Sequence, residues 1–229
     1  RFERMADLLA QTAAASLPPV VSFVDVVRPQ VPPILAGETI AVARDAAFCF
    51  IYPANLDCLG ALGAKIVFFS PLADAALPVC DAVWLPGGYP ELHAPALAAN
   101  RFLWDSLAAH VHAGKPVLAE CGGMMALFQS LQGIDGVEHA LAGLLPGRVI
   151  MQKRLAGLGM QEVALPEGVL RGHAFHYSKT ETTLSPLCTT TRPDGQAGEA
   201  VYRQKRLTAS YMHLYFPFNP VVAAGLFLE

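Results

Sequence analysis

The sequence predicts an α/β fold: an open mixed, mostly parallel sheet flanked by helices, with antiparallel additions in its second half. Three observations predict it. Short apolar runs alternate with helical runs from residue 39 to about residue 131. The connections between them are short, and strands alternating with helices in this way build a parallel sheet covered on both faces. From about residue 142 the helices give way to short β-like runs between Gly- and Pro-containing turns.

In chain order, Phe2, Met5, Leu8 and Leu9 fall at helical spacing and predict a short amphipathic helix over 2–12. Residues 16–38 hold Pro18, Pro19, Pro29, Pro32 and Pro33, a density that forbids a helix and suits an extended connector. Residues 1–37 read as the tail of a preceding domain plus a linker, with a disordered chain end as the alternative. Residues 38–229 read as one domain. Within it, TIAVAR (39–44) is a strand, NLDCLGALGA (55–64) a helix closing on Gly63, KIVFFSP (65–71) a strand ended by Pro71, and AVWLP (82–86) a third strand. One long helix covers 94–113, with Gly114 after its end, and PVLAE (116–120) is the fourth strand, followed by a corner at Cys121 and a helix to about Leu131. RVIMQ, MQEVAL, RGHAFHYS, EAVYRQ and LTASYMH are the later strands, and residues 219–229 form a final helix.

The 229 residues are 53% hydrophobic, enough for a sizeable core, yet no apolar run reaches the roughly 18 residues of a membrane span. A net charge of −3 without a long basic stretch argues against nucleic acid as the main partner. Cys49, Cys58, Cys80, Cys121 and Cys188 form no CxxC pair and are odd in number, which reads as reduced thiols in a cytoplasmic protein.

In open α/β sheets, ligands bind at the carboxyl ends of the strands. Three features fall there. Cys121 follows PVLAE directly and precedes Gly122 and Gly123, the layout of a nucleophile elbow with Ala119 where the first glycine usually stands. The helix N-terminus beneath it favours the thiolate; the alternative is a buried structural cysteine. In WLPGGYPEL, Gly87 and Gly88 free backbone N–H groups for close approach, and the N–H groups of Gly88 and Gly122 can form an oxyanion hole if the loop faces the elbow. The alternative is an ordinary strand-to-helix turn. His213, in SYMHLYFPFNP, supplies the base that a thiol nucleophile needs, or is a satisfied core histidine. His173 and His176 lack third and fourth ligands at metal-site spacing, so no metal is expected. Neither phosphate-loop pattern, GxGxxG nor GxxxxGK[ST], occurs in the chain.

PGGYPEL, AECGGMM, RGHAFHYS and SYMHLYFPFNP, in this order, resemble the amidotransferase domains of the cobyrinate and hydrogenobyrinate a,c-diamide synthases, in the cobyric-acid-synthase-like branch of class I (triad) glutamine amidotransferases. AVARDAAFCFIYPANL and GAKIVFFSPLAD are similar to that family's first two strands and intervening helix. The resemblance covers residue 39 to the end. It implies a class I amidotransferase-like fold and a glutaminase: Cys121 attacks the carboxamide of glutamine, His213 serves as base and then acid, Gly87, Gly88 and Gly122 hold the oxyanion, and His176, Tyr177 and Ser178 cradle the amino-acid end. It further implies a preceding synthetase domain, of which 1–37 is the exit, using ATP and magnesium to amidate a corrinoid with the ammonia released. No cofactor is expected in this chain itself, and slow turnover is expected without the partner domain.

The chain departs from the pattern in three places. Tyr215 stands where most triad enzymes have a carboxylate, as in this branch, leaving the partner of His213 unassigned. Ala174 and Ala54 stand where the family has glutamate. Three other readings stay open: the amidotransferase domain of cobyric acid synthase, a cysteine-dependent α/β hydrolase, which lacks a persuasive acid since only Asp194, in an expected turn, offers itself, and a degenerate amidotransferase fold kept as a docking module.

Overall fold

The computed structural model describes residues 2–12, 20–22 and 31–228. It divides into two compact units, Arg1–Gln30 and Val31–Glu229. In the first, α1 (Phe2–Ala10) confirms the amphipathic helix, and its apolar side chains Phe2, Met5, Leu8 and Leu9 are exposed. The connector expected over 16–38 falls largely outside the described residues.

The second unit is built on a ten-stranded sheet. Its first half is parallel: β1 (Thr39–Ala43) lies between β2 (Lys65–Phe69) and β3 (Ala82–Leu85), and β3 pairs with β4 (Val117–Glu120). Side chains along these strands alternate between two cores. Ala41, Ala43, Val83, Leu85, Val117 and Ala119 face one, while Ile40, Val42, Ala82, Trp84 and Leu118 face the other. Burial on both faces is why the strands read as unbroken apolar runs. The first core is closed by α3 (Ala94–Ala99), α4 (Arg101–His112) and α5 (Gly122–Leu127), the second by α2 (Pro53–Ala61) and α6 (Pro220–Gly225).

Two expected helices come out differently. The long helix over 94–113 is broken at Asn100, whose side-chain amide turns away to donate to Pro71 O (2.8 Å) and Asp74 O (2.9 Å). The helix after Cys121 stops at Leu127 instead of about Leu131. Phe128 is extended, and Phe128–Gln132 is strand β5. A short apolar run does not distinguish strand from helix by period, and here β6 (Glu138–Ala140) and β7 (Leu145–Met151) supply strand partners. With β10 (Ser178–Glu181) they form a separate four-stranded sheet.

The antiparallel half comprises β8 (Gly157–Leu165), β9 (Gly168–His176), β11 (Cys188–Thr191), β12 (Ala197–Gln204), β13 (Leu207–Ser210) and β14 (Met212–Leu214). LTASYMH, expected as one strand, is two: β13 pairs with β12 and runs parallel to β4, whereas β14 pairs with β9. Only Tyr211 separates them, so the strand ring β9-β8-β11-β12-β13 is closed by the chain itself through β14.

Candidate active site

Cys121 sits directly beyond β4 with φ 46° and ψ −107°, a backbone conformation that a side-chain-bearing residue rarely adopts. Such a residue stores about 1–3 kcal/mol and persists only where its surroundings hold it. Here its N–H donates to Ser210 O of β13 (2.8 Å) and its carbonyl accepts from Met125 N–H (2.9 Å). The two following glycines are required by close approach. A Cβ on Gly122 would lie 2.9 Å from Gly88 N, and one on Gly123 2.1 Å from Leu85 O. The elbow expected from the sequence is therefore present as geometry.

Gly87 and Gly88 follow β3, and the loop after β1 is laid over them: Phe50 N–H donates to Gly87 O (3.0 Å) and Tyr89 N–H to Ala47 O (2.9 Å). Asp45 fixes that loop by accepting from the N–H groups of Ala47, Phe48 and Leu72 and from the Ser70 hydroxyl. A Cβ on Gly87 would come within 2.2 Å of His213 Cε1. One dipeptide thus touches the His213 ring through Gly87 and the residue after Cys121 through Gly88.

His213 lies inside β14, not at the end of β13. Its ring is buried, stacked on His173 (centroids 5.1 Å, 24°) and tilted against Phe50 (4.5 Å), and its Nδ1 has no hydrogen-bond partner. Its backbone is held firmly by neighbours. Leu214 N–H donates to Glu120 Oε1 (2.9 Å), whose other oxygen accepts from the Trp84 indole N–H (3.0 Å). Asn55, fully buried, donates to Leu214 O (2.8 Å) and accepts from Phe216 N–H (2.9 Å). Tyr215 makes no bond to the imidazole; it packs edge-on against Tyr52, whose hydroxyl is 2.6 Å from His173 Nδ1.

The electrostatics correct one expectation. Burial first, and then the charges of Glu91, Glu120 and Glu199, push the Cys121 thiol up to about 12 against the Gly122 N–H that favours the thiolate. One turn of helix behind the elbow does not offset the loss of solvation. Burial, then the charges of His173 and His176, hold His213 down at about 3. At neutral pH the Cys121 thiol and the His213 imidazole are therefore both uncharged.

His176 and Ser178 turn to the side of Tyr211. The His176 ring is stacked flat on Tyr211 (3.7 Å, 3°), its Nδ1 is 3.0 Å from Ser178 O, and the Ser178 hydroxyl bonds the Tyr211 phenol at 2.8 Å. These three residues line a cavity of about 440 Å³ that also takes in Glu199. Phe175 O, one residue before His176, is 3.9 Å from Cys121 Sγ. Tyr177 does not line the cavity; it is exposed and packs edge-on against Phe175. His173 and His176 engage different partners, His213 and Tyr211, and among the described residues no group of three or more His, Cys, Asp or Glu is arranged to hold a metal ion.

Sequence reasoning missed Glu120, Asn55, Tyr52, Tyr211 and Glu199. Glu120 left a trace, a carboxylate closing an otherwise apolar strand beside the nucleophile position. Nothing local marks Glu199, whose placement depends on strand pairing far along the chain.

The sequence matches the profile of the CobB/CobQ-like glutamine amidotransferase domain over residues 39–220. It is 53% identical over 227 residues to a hydrogenobyrinate a,c-diamide synthase of Stutzerimonas stutzeri, covering 99% of this chain and 53% of that protein. It is 50% identical over 224 residues to a cobyrinate a,c-diamide synthase of Herminiimonas arsenicoxydans, covering 96% and 50%. The chain thus spans about half the length of the curated relatives it matches. Its fold is similar to a solved glutamine amidotransferase (TM-score 0.55, 17% identity, 82% of this chain and 96% of that one) and to PurLQS from Thermotoga maritima (0.52, 15%, 77% and 87%).

Proposed function

The chain belongs to the CobB/CobQ-like glutamine amidotransferase family, and on that footing we propose that it hydrolyses glutamine at Cys121 and supplies the ammonia to a synthetase half. That half amidates the a and c carboxylates of cobyrinate or hydrogenobyrinate. The names of the relatives favour this acceptor. The observation that carries the glutaminase reading is the Gly87–Gly88 dipeptide, packed at one end on His213 and at the other on the residue that follows the strained Cys121.

In this reading the Cys121 sulfur attacks the side-chain carboxamide carbon as His213 takes the thiol proton. The tetrahedral oxyanion is received by the N–H groups of Gly88 and Gly122, the kind of preorganised donors that stabilise such charge most effectively. His213 then passes its proton to the departing ammonia, and water attacks the glutamyl thioester with His213 again as base, releasing glutamate. His176 and Ser178, which line the cavity, form the region that receives the amino-acid end, and Tyr177, outside it, takes no part. A neutral thiol beside an imidazole held near 3 resists proton transfer, so the resting domain is slow until substrate or the partner half changes its surroundings.

ATP and magnesium enter this reading only through the synthetase half, and no step above passes through them. Residues 1–37 are read as the exit from that half, in keeping with the unburied apolar face of α1. A reduced, cytoplasmic location fits the absence of any disulfide among the described residues.

The test is glutamate release from glutamine by the chain, alone and with a synthetase half added, beside a Cys121→Ala control. Release that vanishes in the control supports the reading. If the reconstituted pair releases none, the chain is a docking module built on an amidotransferase fold.

A further inference from the structure

Glu199 is a carboxylate with little solvent and no adequate partner. Its side chain is 13% exposed, and its one close polar neighbour is His176 Nε2 at 3.2 Å, a contact too poorly aligned to satisfy that nitrogen, which is buried without a hydrogen bond. Among the described residues no Lys or Arg is ion-paired with it. Burying a charge in this state is costly unless something completes the pair.

The position is nonetheless built. Glu199 N–H is fixed by Gln161 Oε1 (3.0 Å) and the Thr190 hydroxyl (2.6 Å), and Thr190 and Gln161 bond each other. A Cβ on Gly157 would strike His176 Nε2 and Glu199 Oε1, at 2.2 and 2.6 Å, so that strand is bare where the two side chains meet. Glu199 and His176 line the cavity of about 440 Å³, whose wall also carries Arg154 and Lys179. The lining therefore combines a buried carboxylate with two cationic side chains. A free amino acid carries the matching pair, an α-ammonium and an α-carboxylate.

We propose that Glu199 binds the α-ammonium of the substrate amino acid, with His176 beside it, while Arg154 and Lys179 face the α-carboxylate. The inference rests on the glutaminase reading above and adds the group that distinguishes a free α-amino acid from other carboxamides. It has a consequence at the nucleophile. The Glu199 charge is one of three that hold the Cys121 thiol up, and an ammonium seated on it removes that charge, so the correct substrate eases ionisation of the thiol that attacks it.

The experiment compares alkylation of Cys121 by two probes: the chloromethyl ketone analogue of glutamine, and the same chloroketone lacking the α-amino group. In both, the sulfur forms a bond to the methylene carbon and chloride leaves. The parent chain is expected to react faster with the amino-bearing probe. Glu199→Gln should cut that preference by about 10- to 100-fold, the value of a lost charge-assisted hydrogen bond, without slowing the probe that lacks the amine. If Glu199→Gln keeps the parent's preference, or slows both probes equally, the inference is overturned and the glutaminase reading stands. If the parent shows no preference, the inference is overturned, and the glutaminase reading is decided by glutamate release alone. Should the neutral variant not fold, the preference is read in Glu199→Asp, where the shortened carboxylate is expected to give a partial loss and an undiminished preference overturns the inference.

Discussion

The imidazole of His213 rests on the bare backbone of Gly87: a Cβ there would lie 2.2 Å from Cε1 and 3.0 Å from Nδ1. Gly87→Ala is therefore expected to push the ring aside while leaving the sheet intact. Misplacement of a reacting group by about 1 Å can cost about 100-fold in rate, so glutamate release should fall by about that factor or more. Far-ultraviolet circular dichroism should remain that of the parent. Parental activity in this variant would show that His213 does not act from its observed position.

Replacing Cys121 separates chemistry from strain. Cys121→Ala and Cys121→Gly should both abolish glutamate release. They should differ in stability, because alanine keeps the Cβ at φ 46° and glycine does not. Against the entropy glycine adds to the unfolded chain, the gain is expected to leave Cys121→Gly about 1 kcal/mol more stable than Cys121→Ala. Urea denaturation of the two variants measures the difference, and equal midpoints would argue that the elbow is unstrained.

The high-lying thiol predicts the pH profile of its own modification. With Cys121 pushed up to about 12 by burial, its alkylation by iodoacetamide should climb steadily with pH, without a plateau in the neutral range. Peptide mass spectrometry resolves Cys121 from the other cysteines. A plateau near neutral pH would mean that the resting site holds a thiolate.

Glu120 predicts a loss of stability with rising pH. Burial raises its carboxyl from 4.5 to about 8, against the hydrogen bonds from Leu214 N–H and the Trp84 indole. A raised folded-state value means that the folded protein keeps a proton the unfolded chain releases. The contribution is complete below about pH 4.5 and is lost as pH rises through about 8. His213 acts with the opposite sign, since its lowered value makes stability fall as pH drops from 6.5 toward 3. Denaturation midpoints should therefore fall less steeply between about pH 4.5 and about 8 in Glu120→Gln than in the parent. Identical slopes across that window would exclude Glu120 as the titrating group.

The parallel half was legible in the sequence because β1, β3 and β4 are buried on both faces and so read as solid apolar runs, and the edge strand β2 is apolar too although it is only partly buried. The corner at Cys121 and the glycines at 87–88 and 122–123 were legible for a related reason: close backbone approach excludes side chains, and glycine marks the place. What escaped depended on partners distant in the chain. Phe128–Gln132 has the composition of a helix end, and only the arrival of β6 and β7 makes it a strand. Glu199 looks like any polar residue on a β-strand until pairing sets it beside His176. The thiolate expectation failed because a helix end is visible in sequence, whereas the burial that outweighs it is not.

Tyr211 is a joint of fixed length. The strand before it is registered against β4, which carries the nucleophile, and the strand after it against β9, so the distance between thiol and imidazole is counted out in single residues. Side chains on a strand alternate faces, and losing or gaining one residue here would send the histidine to the other side of the sheet or pull β14 out of its pairing. Between Ser210 and Met212 the permitted variation is zero, and lengthening there would be as final as removing the cysteine.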